Sequence, residues 1–200
     1  MFAILAEDDS DFKTLKEIIW RICNDRSVSI KGRGFGSGSE LLNDGARDLE
    51  ALIEMPKTKS VIVCHDADAL VDDGKKLEIN QKIIRKVAGG EVKAVPIVPV
   101  SMIESWILAD INACCKVFKS LRPLKEIGTP EGVRQPKKEI ERLCGLNTNI
   151  EYSNVTHNKL IAQYIDLKTV YRRCRSFRPL AEAVDKIYYG EFRKKEYWEA

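Results

Sequence analysis

No two cysteines in this chain stand at the CxxC spacing of a zinc ribbon. The six cysteines, at 23, 64, 114, 115, 144 and 174, are scattered. Cys64 lies in an apolar strand-like run and Cys114-Cys115 in a helical one, so they read as small buried apolar groups. No apolar run is long enough to cross a bilayer, and no secretory leader is present. These absences point to a reduced, cytoplasmic chain without a membrane partner. Repeats, low-complexity tracts and coiled-coil heptads are absent too. Charge of one sign is also lacking: 33 Lys and Arg face 30 Asp and Glu, a net of +3. Bulk charge therefore does not declare nucleic-acid binding. Its distribution says more, because the first third is locally acidic and the last third carries Arg172, Arg173, Arg175, Arg178, Arg193, Lys194 and Lys195. An acidic site beside a basic flank suits a phosphate-rich substrate held near a metal. A solvated basic helix face explains the same charge run.

What is present is an alternation of strand and helix. With 200 residues, 44% of them apolar, the chain can build one substantial core. Phe2–Ala6 is a short apolar strand, and Asp9 or Ser10 can cap the following helix, in which Phe12, Leu15, Ile18, Ile19 and Ile22 recur at helical spacing. Val28–Phe35 alternates as a strand. Gly34, Gly36 and Gly38 mark a turn, Ser39–Glu54 a helix that Pro56 ends, and Ser60–His65 a second strongly apolar strand. Leu77–Val87 reads as a helix closed by Gly89-Gly90. Val92–Val100 reads as a strand whose Pro96 and Pro99 suit an edge, and Ile103–Phe118 as a helix. The order predicts an α/β fold with right-handed crossovers. After about residue 120, prolines punctuate a loop, and helical periodicity returns at about 136–145, 157–167 and 177–189. Residues 1–120 are thus expected to form the α/β core, and 121–200 a helical extension packed on it.

Acids recur where the expected strands stop. Glu7 follows the first strand, with Asp8, Asp9 and Asp11 behind it. Asp66 and Asp68 follow the Ser60–His65 strand, and Glu104 and Asp110 follow the Val92–Val100 strand. Parallel strands end on one edge, where α/β folds bind ligands. Carboxylates gathered there would resist ionising together, and a hard divalent cation such as Mg²⁺ or Mn²⁺ resolves that conflict. Extended alternation places Asp66 and Asp68 on one side, able to share a cation. Each acid also has a structural explanation. Asp8, Asp9, Asp11 and Glu104 suit the first turn of a helix, and the D-x-D suits a turn running on to Asp72-Asp73-Gly74. His65 reads as a strand-end residue or as a ligand. His157 carries no prediction.

An acid after the first strand, a D-x-D after a later one and alternating α/β elements together resemble the TOPRIM domain of topoisomerases, bacterial primases and the overcoming-lysogenisation-defect (OLD) nucleases. Glu7 matches its first-strand glutamate, Asp66 and Asp68 match its D-x-D, and Glu7…Asp11 looks like the E-x-x-x-D of the OLD-type nucleases. The stretch Pro99–Asp110 resembles the P-x-x-x-x-E-x-W-L-L-A-D signature of small TOPRIM-like proteins found beside prokaryotic defence genes. Ser176-Phe177-Arg178 looks like their closing segment. The resemblance implies a Rossmann-like, mostly parallel sheet of about four strands between helices, with the helical extension. It further implies a metal-dependent nuclease acting on DNA or RNA phosphodiesters, in defence against phage or foreign DNA. In that reading Glu7, Asp66 and Asp68 are catalytic. Glu7, Asp11, Asp66, Asp68 and Glu104 hold Mg²⁺ or Mn²⁺, and Lys159, Arg172, Arg173 and Arg175 contact nucleic acid. A separately encoded ATPase and a homo-oligomer are the implied protein partners.

Two other readings stay open. The chain could be a non-catalytic TOPRIM-like module that binds a partner. The start Ile4–Phe12 also looks like a response-regulator receiver, with Asp66 as phosphoacceptor and Ser101 as switch hydroxyl.

Overall fold

The computed structural model describes residues 1–87, 93–146 and 149–199. Its described strands are β1 (Phe2–Ala6), β2 (Ile30–Gly34), β3 (Ser60–Cys64) and β4 (Lys93–Ile97). They form one all-parallel sheet in the order β2-β1-β3-β4. The central strands β1 and β3 are buried along their whole length, which is why both read as unbroken apolar runs. At one edge β2 is mostly exposed. At the other lies β4, where Pro96 cannot donate to a ladder. Gly89-Gly90 and Val92, the expected helix stop and strand start, lie outside the described residues.

Side-chain alternation divides the core in two. Phe2, Ile4, Ala6, Ile30, Ile62, Cys64 and Ile97 face a cluster shared with α1 (Asp9–Cys23), α4 (Glu104–Ala109) and the helices of the last third. Ala3, Leu5, Val61, Val63 and Val98 face α2 (Gly38–Glu54) and α3 (Asp73–Lys82). Helices therefore cover both faces, as the periodicity predicts. Gly34 is needed where β2 meets the turn after β1, since a Cβ there would lie 2.1 Å from the Asp8 backbone.

Several boundaries differ from the sequence reading. The first helix is capped by Asp8, whose carboxylate accepts the Asp11 N–H at 2.8 Å. The third helix starts at Asp73 instead of Leu77 and ends at Lys82. The expected Ile103–Phe118 helix breaks at Asp110, which adopts φ −132° and ψ 64°. Its carboxylate accepts the Asp166 N–H at 2.7 Å, so this acid ties two loops together. A 3₁₀ turn and α5 (Cys114–Val117) follow. After α6 (Pro136–Gly145), the helix expected at 157–167 divides into α7 (Asn154–Ile161) and α8 (Leu167–Arg173). Asp166 makes the division, capping α8 through the Lys168 N–H at 3.1 Å.

The helix α9 (Arg178–Tyr189) stops at Gly190 with φ +83°. The segment beyond folds back. Fully buried Asp185 accepts Trp198 Nε1–H at 2.7 Å and Arg193 Nη2–H at 2.8 Å. Trp106 of α4 meets Phe177 edge-to-face at 5.1 Å and donates to Ser176 Oγ at 2.9 Å. The Glu104–Trp106 and Ser176–Phe177 segments, distant in sequence, thus lock together in the core. Among the described residues no helix is long and apolar enough to cross a membrane.

Candidate functional site

The acids of the strand ends do gather at one edge of the sheet, but on two sides of it. Odd positions of β1 face α2, and Glu7 continues that parity. Odd positions of β3 do the same, so His65 lies beside it. Even positions face α1 and α4, and there Asp66 lies near Asp11 and Glu104. The sheet edge itself separates the two groups.

On the α2 side, His65 is 3% exposed. Its Nδ1 lies 2.9 Å from Glu7 Oε2 and 2.8 Å from the Asp66 carbonyl oxygen, and its Nε2 lies 3.4 Å from Lys75 Nζ. One arrangement satisfies all three: Nδ1–H donates to the two oxygens, and Nε2 accepts from the Lys75 ammonium. Glu7 also accepts the Asp66 N–H at 3.3 Å. Burial by itself would raise the Glu7 pKa, but the hydrogen bond from His65, the Asp66 N–H and the Lys75 charge outweigh it and hold the carboxyl below its ordinary range. Glu7, with a side chain 26% exposed, is an ionised carboxylate open to a cleft. That cleft, about 500 Å³, is also lined by Gly38, Asp68, Lys75 and Lys82. Gly38 makes it fit, because a Cβ there would lie 2.4 Å from His65 Nε2.

On the α1 side the carboxyls are buried. Asp11 is 5% exposed, Asp66 7% and Glu104 3%. Burial and then the neighbouring Asp8, Glu104 and Glu7 charges push the Asp11 carboxyl well above its ordinary range. Burial and then Asp11, Glu104, Glu7 and Asp68 do the same to Asp66. Glu104 is raised by burial, against the hydrogen bond from Asn158, its own backbone and the Lys137 charge. Two of the three are aimed by donors: Asp66 Oδ1 accepts the Ile103 N–H at 3.0 Å, and Glu104 Oε1 accepts Asn158 Nδ2–H at 3.0 Å. Asn158 is itself held by the Tyr152 hydroxyl, which donates to its Oδ1. Among the described residues nothing donates a hydrogen bond to the Asp11 carboxyl.

Asp68 departs from its expected place. The ladder with β4 runs on through His65 N–H to the Ile97 carbonyl at 3.2 Å and Ala67 N–H to the Pro99 carbonyl at 3.0 Å. At Asp68 the chain turns with φ +53°, opposite Ser101 with φ +58°. Asp68 N–H donates to the Ser101 carbonyl at 3.0 Å, and Ser101 N–H to the Ala69 carbonyl at 2.8 Å. The turn carries the Asp68 side chain out to solvent while Asp66 stays inside. Extended alternation, which would have put both on one side, ends one residue too early. Paired non-glycine residues in this region store strain, a feature that clusters at functional sites.

The expected cations fare unevenly. The Arg173 guanidinium donates to the Ala109 and Ile127 carbonyls and holds the fold together. Arg175 lies 3.7 Å from buried Asp72, on the loop after Asp68. Lys159 and Arg172 are exposed on α7 and α8, and neither lines the clefts at Asp68. The sequence reading missed Lys75, Gly38, Asn158, Tyr152, Arg134 and Lys137. A lysine one helical turn into the segment after the D-x-D is the only trace that could have flagged Lys75.

The donor set, carboxylate oxygens in excess over counter-charges, fits a hard divalent ion. Among the described residues, however, no three Asp, Glu, His or Cys side chains are arranged around one point as ligands. The parity split explains this: Glu7 reaches the edge from one face, Asp11, Asp66 and Glu104 from the other.

A family model described as Domain of unknown function (DUF4276) matches residues 6–185, and the chain belongs to that family. The matched interval contains every candidate site residue from Glu7 to Arg175. No curated protein and no solved structure matches the chain.

Proposed function

We propose that this chain is a TOPRIM-like phosphodiesterase that uses Mg²⁺ or Mn²⁺ to cut nucleic acid, with a role in prokaryotic defence alongside a separately encoded ATPase. The observation that carries the reading is the convergence of buried carboxyls, Asp11 and Asp66 above all, that oppose one another's ionisation. Such a group is costly unless something positive completes it, and perturbed acids in a cleft mark functional sites. Glu7, Asp11, Asp66, Asp68 and Glu104 are the residues that would hold the ion. Bound there, the ion would polarise a phosphate and offset charge developing on its oxygens.

The protein's own groups do the rest. His65, backed by Lys75, fixes the Glu7 carboxylate and keeps it ionised. Whenever it is not a ligand, Glu7 can take the proton of an attacking water as general base. Ile103 N–H and Asn158 orient Asp66 and Glu104, so little reorganisation is left for the reacting complex. The basic walls, Lys75 on one side and Arg134 on the other, attract a phosphodiester to a centre that is otherwise negative.

The test is cleavage of labelled DNA and RNA by the purified chain in Mn²⁺, set against Asp66→Ala/Asp68→Ala. Loss of cutting by about 10²-fold or more is expected, the scale at which removal of positioned catalytic groups is felt. Equal cutting by the double variant would overturn the proposal. A wild-type chain that never cuts, and that no divalent ion stabilises, would leave a non-catalytic binding module in its place.

A further inference from the structure

We propose that Arg134, Lys137 and Lys138 form an anion subsite that seats a backbone phosphate of a nucleic-acid strand, neighbouring the phosphate at the carboxylates. The inference rests on the phosphodiesterase reading of that centre and adds how the polymer is held. The three side chains, together with Asp68, Ser101 and Met102, line a cleft of about 330 Å³. Arg134 also lines the adjoining cleft of about 370 Å³ with Asp68 and Ser101. Both open on the strained turn at the mouth of the acidic centre. Lys137 is near enough for its charge to act on Glu104.

Several other cations of the chain, unlike these three, are already held by acids. Arg142, on the same helix, binds Glu139 with two hydrogen bonds of 2.9 and 2.6 Å. Lys82 pairs with Glu78 at 2.7 Å, Lys76 with Asp72 at 2.5 Å, and Arg193 with Asp185 at 2.8 Å. Arg134, Lys137 and Lys138 have no hydrogen-bond or ion-pair partner among the described residues. Their position is also unfavourable for the fold. Lys137 and Lys138 stand in the first turn of α6, a helix of 10 residues, where positive charge opposes the macrodipole. Gln135, the residue before it, makes no side-chain cap, and Pro136 has no N–H to give. Cations placed against the local rule, unpaired and facing a cleft, are what a bound anion would explain. Asp68 on the shared wall repels that anion, so the phosphate sits toward α6 and not over the D-x-D.

The test is binding without cleavage. Anisotropy of a fluorescein-labelled single-stranded oligonucleotide is titrated with protein in EDTA over a range of salt. Arg134→Ala/Lys137→Ala should weaken binding about tenfold or more at low salt and reduce the log–log salt slope by about 1.4, two phosphate contacts at about 0.7 each. Exposed Lys138→Glu, as a second variant that leaves the α6 core face intact, should weaken binding in the same direction. Lys31→Ala/Arg47→Ala, at exposed cations that line neither cleft, should leave affinity and slope unchanged. Equal behaviour of the two double variants, an unchanged slope, or failure of the wild type to bind would overturn the subsite. Displacement of the strand by low millimolar inorganic phosphate would show a site for free phosphate instead and equally overturn it. Failure of the enzyme reading looks different: the wild type would bind through these residues yet never cut in Mn²⁺. Conversely, cutting that depends on Asp66 but proceeds with unchanged KM in Arg134→Ala/Lys137→Ala would sink the subsite and leave the enzyme standing.

Discussion

Asp11→Asn is expected to raise the stability of the metal-free protein at neutral pH. Asp11 is almost fully buried, receives no hydrogen bond among the described residues, and lies in the field of Asp8, Glu104 and Glu7. Its folded pKa is raised, so between the unfolded value and the folded value the native state holds a proton that the unfolded chain releases. Stability from this group is therefore complete below the unfolded pKa, about 3.9, and is lost as pH rises through the folded one. Asparagine has nearly the same shape, never ionises, and can donate to the carboxylates around it. Relieving a destabilised functional position of this kind typically contributes about 0.5–2 kcal/mol. At about 2–4 °C per kcal/mol, the scale for a chain of this size, that gives a Tm higher by about 1–8 °C.

The assay is thermal melting of both proteins in EDTA from mildly acidic to slightly alkaline pH, above the unfolded value of an aspartate, where a raised carboxyl loses its stabilising proton. The gap in favour of Asp11→Asn should widen as pH rises. Glu7 works in the opposite sense, since its depressed pKa gives stability that is present above its unfolded value and lost in acid. The difference between the two proteins, which cancels Glu7, is therefore the quantity to follow. Divalent ion should then narrow the gap, because an ion at about ten times its dissociation constant adds about 1.4 kcal/mol to the wild type alone. A gap that stays flat with pH, or Asp11→Asn melting below the wild type in EDTA, would refute the reasoning.

Three further perturbations follow from the packing. Asp185→Asn leaves Arg193 without its buried partner and weakens the bond to Trp198. It should cost about 3–5 kcal/mol, lower Tm by about 6–20 °C and shift the tryptophan emission to the red, and an unchanged melt would show that the terminal clasp is idle. Ser176→Ala strands the indole N–H of buried Trp106 and should cost about 1–3 kcal/mol by chemical denaturation, whereas a neutral result would mean the indole finds another acceptor. Gly38→Ala drives a methyl group toward His65 and should lower cutting and the ion-induced rise in Tm together, and unaltered activity would separate His65 from the function of Glu7.

The sheet was legible because β1 and β3 are covered on both faces, so Phe2–Ala6 and Ser60–Cys64 had to be apolar throughout. The edge position of β4 was legible from Pro96, a single missing N–H. Helix ends were harder to place, since they depend on which polar group is nearest in space. Asp166 divides the expected 157–167 helix by capping α8, and Asp110 ends α4 while holding Asp166. Both are acids that a linear reading assigns equally well to a helix face. The candidate acids were legible by position alone, at the ends of strands. Their supports were not. Asn158 reaches Glu104 across 54 residues, and Ile103 N–H reaches Asp66 across 37. No local pattern encodes either bond.

The least legible feature bears most on chemistry. Period-two alternation assigns Glu7 and His65 to one face of the sheet and Asp66 to the other, so neither group is complete without crossing the edge. The crossing is made by backbone: Asp66 N–H donates to Glu7, and the Asp66 carbonyl lies against His65. One residue thus presents its main chain to the half-buried, ionised Glu7 carboxylate and its side chain to the buried acids whose pKa is raised. On the proposed reading, a cation would meet Glu7 at the cleft and would draw on Asp66 and Asp11 only with loss of their protons. Ion binding should therefore release protons and tighten with pH, and calorimetry in buffers of different ionisation enthalpy would detect the release. Proton-neutral binding would mean that the ion stays with Glu7 and Asp68, and that the buried acids serve the fold.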